Sequence, residues 1–150
     1  MLLRPGQAEA LARFFADLAA SGDDAFFHPH PGDVATLQSI AEHPGKDIHA
    51  VFIEGEDVRV YGLLRGWNEG FAIPSLGIAV HPAVRAVGLG SLMMEYLETM
   101  ARYRGANAIR LRVHKGNALA TAMYERRGYA MSPDDDPRLL LGIKSLGASA

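Results

Sequence analysis

Apolar positions fall at helical spacing in two early stretches and at strand-like spacing in the ones that follow. Between Ala8 and Ala20 they are Leu11, Phe14, Phe15, Leu18 and Ala19, one face of a helix that Ser21-Gly22-Asp23-Asp24 ends. Asp33 stands where an N-cap belongs. Val34, Leu37, Ile40 and Ala41 then predict an inward face for a second helix over 34–43, stopped by Pro44-Gly45. Ile48 to Glu54 and Val58 to Leu64 read as partner strands around the loop Gly55-Glu56-Asp57. Trp67-Asn68-Glu69-Gly70 reads as another hairpin tip before the apolar run Ser75 to Val80. Met1 to Arg4 is a short candidate first strand, closed by Pro5-Gly6.

The second half alternates more plainly. Leu92, Met93, Leu97, Met100 and Ala101 mark a helix over 89–104, with the methionines filling gaps in a core. Gly105-Ala106-Asn107 ends it. Ile109, Leu111 and Val113 share one face of a strand over 108–113. A second helical pattern runs from Asn117 to Gly128. Pro133 to Pro137 reads as a solvated acidic turn, 138–144 as a closing strand and 145–150 as a frayed tail.

Strand, glycine loop, helix, strand and helix thus follow one another between Ser75 and Tyr129. At 150 residues the chain, 1–150, reads as a single domain with one adequate core. A net charge of −2 gives no basic footprint for nucleic acid and no bias towards a membrane surface. The absence of cysteine excludes disulfides and thiolate zinc sites, which is compatible with a cytoplasmic location. No run approaches a membrane span, and the N-terminus lacks a secretory pattern.

The loop carries the chemistry. Arg85-Ala86-Val87-Gly88-Leu89-Gly90 lies between a strand and a helix. A helix start offers unpaired N–H groups and partial positive charge, and glycines allow close approach of a ligand. Such a loop reads either as an anion site, most naturally for phosphate, or as a plain tight turn. It is not a dinucleotide fingerprint, because Met93 stands where the third glycine belongs, and no Gly-Lys-Ser/Thr follows.

Arg85-x-x-Gly88-x-Gly90, after the strand ending at Val80, resembles motif A of the GCN5-related N-acetyltransferases (GNAT). Asn117-x-x-Ala120-x-x-x-Tyr124-Glu125-x-x-Gly128-Tyr129 resembles the family's motif B. Both occur in order and at the usual separation. One departure is Ala86, where many relatives carry glycine. The resemblance implies an α/β fold: a mixed, twisted central sheet of about six to seven strands flanked by about four helices. It implies acetyl-CoA as cofactor, with the pyrophosphate on the amides of Ala86, Val87, Gly88, Leu89, Gly90 and Ser91, beside Arg85. The pantetheine would run along Ile78, Ala79 and Val80 like an added strand, at a splay that Gly77 fits; a packing glycine is the alternative. Tyr124 resembles the general acid that protonates the CoA sulfur, or is buried packing. Asn117 matches a CoA-contacting residue, and is also a helix cap.

The acceptor is less defined. Phe26, Phe27, His28 and His30, in a Pro-bounded stretch, line an acceptor pocket or anchor a loop. No metal site is expected there, since no carboxylate stands at suitable spacing. Trp67 and Glu69 are further substrate-contact candidates. Candidate bases are Glu54, Glu69, His28, His30 and His81, with ordered water an alternative. Arg112 stands where ribosomal-protein acetyltransferases of the family place a glutamate, which weakens a protein N-terminus as acceptor. The expected partner is a small-molecule amine: an amino sugar, polyamine or amino-acid derivative. Alternatives are a protein or peptide N-acetyltransferase, or a CoA-binding module without turnover. Dimers are common in the family.

Overall fold

The computed structural model describes residues 1–22 and 29–147. Helix α1 (Ala8–Ser21) and helix α2 (Val34–Glu42) lead into strands β1 (Ile48–Glu54), β2 (Asp57–Arg65) and β3 (Ser75–Val80). Helix α3 (Leu89–Tyr103), strand β4 (Ala108–His114), helix α4 (Ala118–Arg126), and strands β5 (Ala130–Pro133) and β6 (Leu139–Ser145) complete the order. The strands form one six-stranded sheet in the order β1-β2-β3-β4-β6-β5. Only β3 and β4 are parallel; the other pairs are antiparallel.

Two cores cover the two faces. On one face, Met93, Met94, Leu97 and Ala101 of α3 pack on Val60, Leu64, Leu76, Ile109, Leu111 and Val113. The helix comes close enough that a Cβ at Gly62 would sit 2.8 Å from Met93, so glycine is what admits α3 onto β2. On the other face, Leu11, Phe14 and Leu18 of α1 and Leu37 of α2 pack on Val51, Tyr61, Leu63 and Ala79. Asp33 caps α2 as its position predicts, accepting from the Thr36 N–H.

Several sequence expectations need correction. Met1–Arg4 is no strand: it contributes one bridge, Leu2 to Ala50, and the sheet has six strands, within the six to seven expected. Leu92 is exposed, because the stripe Met93, Leu97, Ala101 faces the sheet and Leu92 points the opposite way. Val34 is exposed in the first turn of α2. Residues 130–133, unassigned from sequence, pair with β6 as an edge strand. The acidic turn is not fully solvated: the Asp134 side chain is buried against Arg112. Ser145 belongs to β6, and Leu146 is buried and bonded to the Asn107 carbonyl, so the tail begins later than its composition suggests.

Candidate functional site

The sheet opens at β3. This strand pairs with β2 along its whole length, from Arg65↔Ser75 to Val60↔Val80. It pairs with β4 only at Ser75↔Arg110 and Leu76↔Leu111. From Gly77 onward its β4-side backbone has no strand partner. A free edge of this kind accepts an extended ligand by backbone pairing. The β2 ladder runs through Gly77 without a register shift, so the opening is a splay, not a bulge in β3.

The strand points at the glycine loop. His81 ends it, and Pro82–Val84 form one 3-10 turn. Ala86 has φ of 62°, the sole left-handed non-glycine backbone among the described residues, and Gly88 follows at 90°. Alternating signs of φ over successive residues turn consecutive N–H groups to one side, which makes an anion cradle. Gly88 is the N-cap of α3 and provides no side-chain bond to the helix's first amides. Arg85 to Gly88 are exposed. The Arg85 guanidinium donates to the Val80 carbonyl (3.3 Å). The cradle and the open strand edge suit a chain ending in a diphosphate, so the residues fit a CoA-type cofactor.

Behind the loop lies a network that sequence reasoning missed. Glu98 of α3 is 2% exposed, yet charged. It accepts from Arg127 (2.8 Å), the Tyr129 hydroxyl (2.9 Å) and Lys144 (3.1 Å). Burial alone would raise its pKa; the hydrogen bonds from Arg127, Tyr129 and Lys144 outweigh that and hold it below the usual carboxylate value. Arg127 also reaches Ser91 Oγ (3.2 Å), joining the end of α4 to the first turn of α3. Only the polar tail of motif B hinted at this, and Glu98 reads as a surface residue in sequence.

Tyr124 is 7% exposed in the α3-side core, 5.9 Å ring to ring from Tyr129. Burial pushes its pKa up to about 12, and its hydroxyl makes no hydrogen bond among the described residues. It therefore holds its proton at neutral pH. Asn117 caps α4, its side chain accepting from the Ala120 N–H (3.2 Å).

The other sequence-named residues divide. His30 Nδ1 lies 2.9 Å from the Pro31 carbonyl and Nε2 lies 2.8 Å from Tyr61 Oη. Since a carbonyl only accepts, Nδ1 carries the proton, Tyr61 donates to Nε2, and His49 Nδ1 donates to Tyr61 (2.9 Å). Burial lowers both histidines, His49 to about 4, and raises Tyr61. Both His30 nitrogens are thus occupied. His81 is likewise committed, with Nδ1 accepting from Ala83 N–H and Nε2 on Asp17 (2.8 Å). Glu54 is an exposed partner of Arg59. Trp67 lies beneath the Arg104 guanidinium and packs on the α3-side core. Glu69 lines a cleft. Phe26, Phe27 and His28 fall outside the described residues.

That cleft, of about 890 Å³, lies where β3 leaves β4, on the face opposite α3. Gly77, Leu63, Phe71 and Ile73 line it, with Arg65, Arg110, Arg112 and Arg138. It is a second approach to the same opening. No group of three or more metal-ligating side chains occurs among the described residues. No helix there is long and apolar enough to cross a membrane.

Comparison with known proteins agrees with the architecture. The model of the acetyltransferase (GNAT) family matches residues 12–129. Streptothricin acetyltransferase of Streptomyces lavendulae is 29% identical, over 98% of this chain and 88% of that protein. The PaiA N-acetyltransferase of Thermoplasma acidophilum, solved with coenzyme A, superposes with a TM-score of 0.81 at 12% identity, covering 97% of this chain and 96% of that one. YncA of Salmonella typhimurium, solved with acetyl-CoA, gives 0.79 at 18% identity, covering 100% and 94%.

Proposed function

From the premise that this chain belongs to the acetyltransferase (GNAT) family, we propose that it moves an acetyl group from acetyl-CoA to the amine of a small molecule. Acetyl-CoA is the cofactor, and it supplies an activated thioester. The amides of Ala86 to Ser91 and the Arg85 side chain hold the diphosphate. The free edge of Gly77, Ile78, Ala79 and Val80 receives the pantetheine amides. The strand edge would direct the reactive end towards the splay at Gly77, which also lines the cleft.

The observation that carries this reading is the joint one: an open strand edge leading directly into an exposed cradle of amides at a helix start. Tyr124 keeps a proton in a dry setting and would supply it to the departing sulfur of a bound thioester. Asn117 fixes the start of α4 and so the placement of Tyr124. Among the described residues, Glu69 is the one base candidate from the sequence that lines the cleft, and it takes the ammonium and its proton. Arg112, also at the cleft, occupies the place of a family glutamate and argues against a protein N-terminus.

Tyr124→Phe tests the assignment. The expected result is a fall in kcat of about 10²-fold, in the ordinary range for a lost general acid, with acetyl-CoA affinity kept. Unchanged kcat would make Tyr124 a packing residue. No turnover of any amine by the wild type, with acetyl-CoA bound, would favour the silent binding module.

A further inference from the structure

The cleft is cationic in a chain whose net charge is −2. Two of its arginines are neutralised locally. Asp134 holds Arg112 (3.1 Å), and Asp136 holds Arg138 (2.7 Å). The other two stand in one row. Arg65 on β2 is directly opposite Ser75 on β3, and Ser75 is directly opposite Arg110 on β4. Residues opposite one another across strands share a face, and all three line the cleft. Two strand spacings put the arginine Cα atoms roughly 10 Å apart, with a small hydroxyl between them. Arg65 donates only to the Pro29 carbonyl, and Arg110 makes no hydrogen bond or ion pair among the described residues.

Arg65 and Arg110 thus line one cleft with no carboxylate bonded to either among the described residues, which leaves their charges to water or to a ligand. An oxyanion between them would accept from both forks and from the serine hydroxyl. Phe71, 60% exposed, and Ile73 add an apolar wall beside the row. Glu69 also lines the cleft.

Resting on the acetyl-transfer reading, we infer that the acceptor is an amine that also carries an oxyanion, a carboxylate or a phosphorus oxyacid, seated on Arg65, Ser75 and Arg110. The amine end faces the splay at Gly77. The chemistry disfavours polycationic amines, which would meet the two guanidiniums of Arg65 and Arg110 that no carboxylate neutralises among the described residues.

The test is steady-state acetylation with matched acceptors. L-phenylalanine and its 1-aminophosphonate analogue are compared with L-phenylalaninamide and phenethylamine, and spermidine serves as the polycation. Wild type is compared with Arg110→Gln and Arg110→Lys. Taking the variant-to-wild-type ratio for each amine cancels intrinsic reactivity. The expected result is a preference of at least tenfold in kcat/KM for anion-bearing amines. Arg110→Gln should erase that preference through KM, and Arg110→Lys should restore part of it. The carboxylate and phosphonate arms identify which oxyanion fits. Equal or better use of the amide, phenethylamine or spermidine overturns the inference and leaves the acetyltransferase reading intact. If no amine is acetylated, that reading fails instead. Calorimetry with L-phenylalanine and the phosphonate then decides the anion site: binding lost in Arg110→Gln supports it, and no binding to wild type overturns it.

Discussion

The two sides of the splayed sheet are built on different terms. On the α3 side, the proposed cofactor site is made of backbone: a left-handed pair of residues, a helix start and an unpaired strand edge. Side chains there serve to hold the backbone still, above all the buried Glu98 with its three donors. On the α1–α2 side, the proposed acceptor site is made of side chains. Arg65, Ser75 and Arg110 project from strands that pack well whatever their outward residues are. A site made of backbone demands particular residue types at fixed spacing. A site made of outward side chains does not.

That contrast can be broken at its strongest point. A side chain at Gly88 would have to adopt a φ of 90°, and a carboxylate would repel a diphosphate. Gly88→Glu is expected to lower acetyl-CoA affinity by more than about 10²-fold in calorimetry, a loss of about 2.7 kcal/mol or more. It should also lower the melting temperature by a few degrees, since any side chain is strained at that φ even though a Cβ there meets nothing within 4 Å. Glu98→Ala should act chiefly on stability. Removing the carboxylate leaves Arg127 and Lys144 as half-buried charges without it, at a cost of about 3–5 kcal/mol in urea unfolding. Acetyl-CoA binding should survive wherever the variant remains folded.

Acid separates the two sides as well. The His49 pKa is depressed to about 4 by burial and by His30. The unfolded chain therefore binds more protons below about pH 6.5. Stability on the acceptor side should fall as pH drops from about 6.5 towards 4, by at most about 3 kcal/mol. Glu98 is also depressed, so its contribution is full above the unfolded carboxylate pKa of about 4.3 and is lost only as pH falls through its lower native value. His49→Gln should reduce the first slope, to which the depressed His30 also contributes, and leave the second, as read by urea midpoints across pH. An unchanged first slope would remove His49 as its source. The smallest effect expected is at Ala86, whose φ of 62° is costly for an alanine. Ala86→Gly should raise stability by up to about 1 kcal/mol, or hold it level as unfolded-chain entropy offsets the relief.

This division explains what could be read from sequence. Ser75 to Tyr129 announced its elements in order, because Gly88, Gly90 and the helical spacing of α3 each have a local physical cause. The splay was suggested by Gly77, although its form, a lost β4 partner and not a bulge, depends on where β4 ends up. Glu98 was invisible because its partners lie 29, 31 and 46 positions away. The arginine row was equally hidden: alternating Arg110 and Arg112 on β4 look like an ordinary solvent face until Arg65 is brought alongside. His30 and His81 looked like chemistry, yet both are tied into the scaffold by partners that no spacing rule names. Sequence reports what the backbone requires, and reports poorly what distant side chains make together.

The most direct test of the central claim is a calorimetric titration of the wild-type protein with acetyl-CoA, with adenosine and pantetheine titrated separately. Saturable one-to-one binding of acetyl-CoA, with both fragments far weaker, is the predicted result, because the loop and the strand edge act on one ligand. No binding at millimolar acetyl-CoA, or binding matched by adenosine alone, would contradict the assignment of residues 85–91 and the β3 edge to the cofactor.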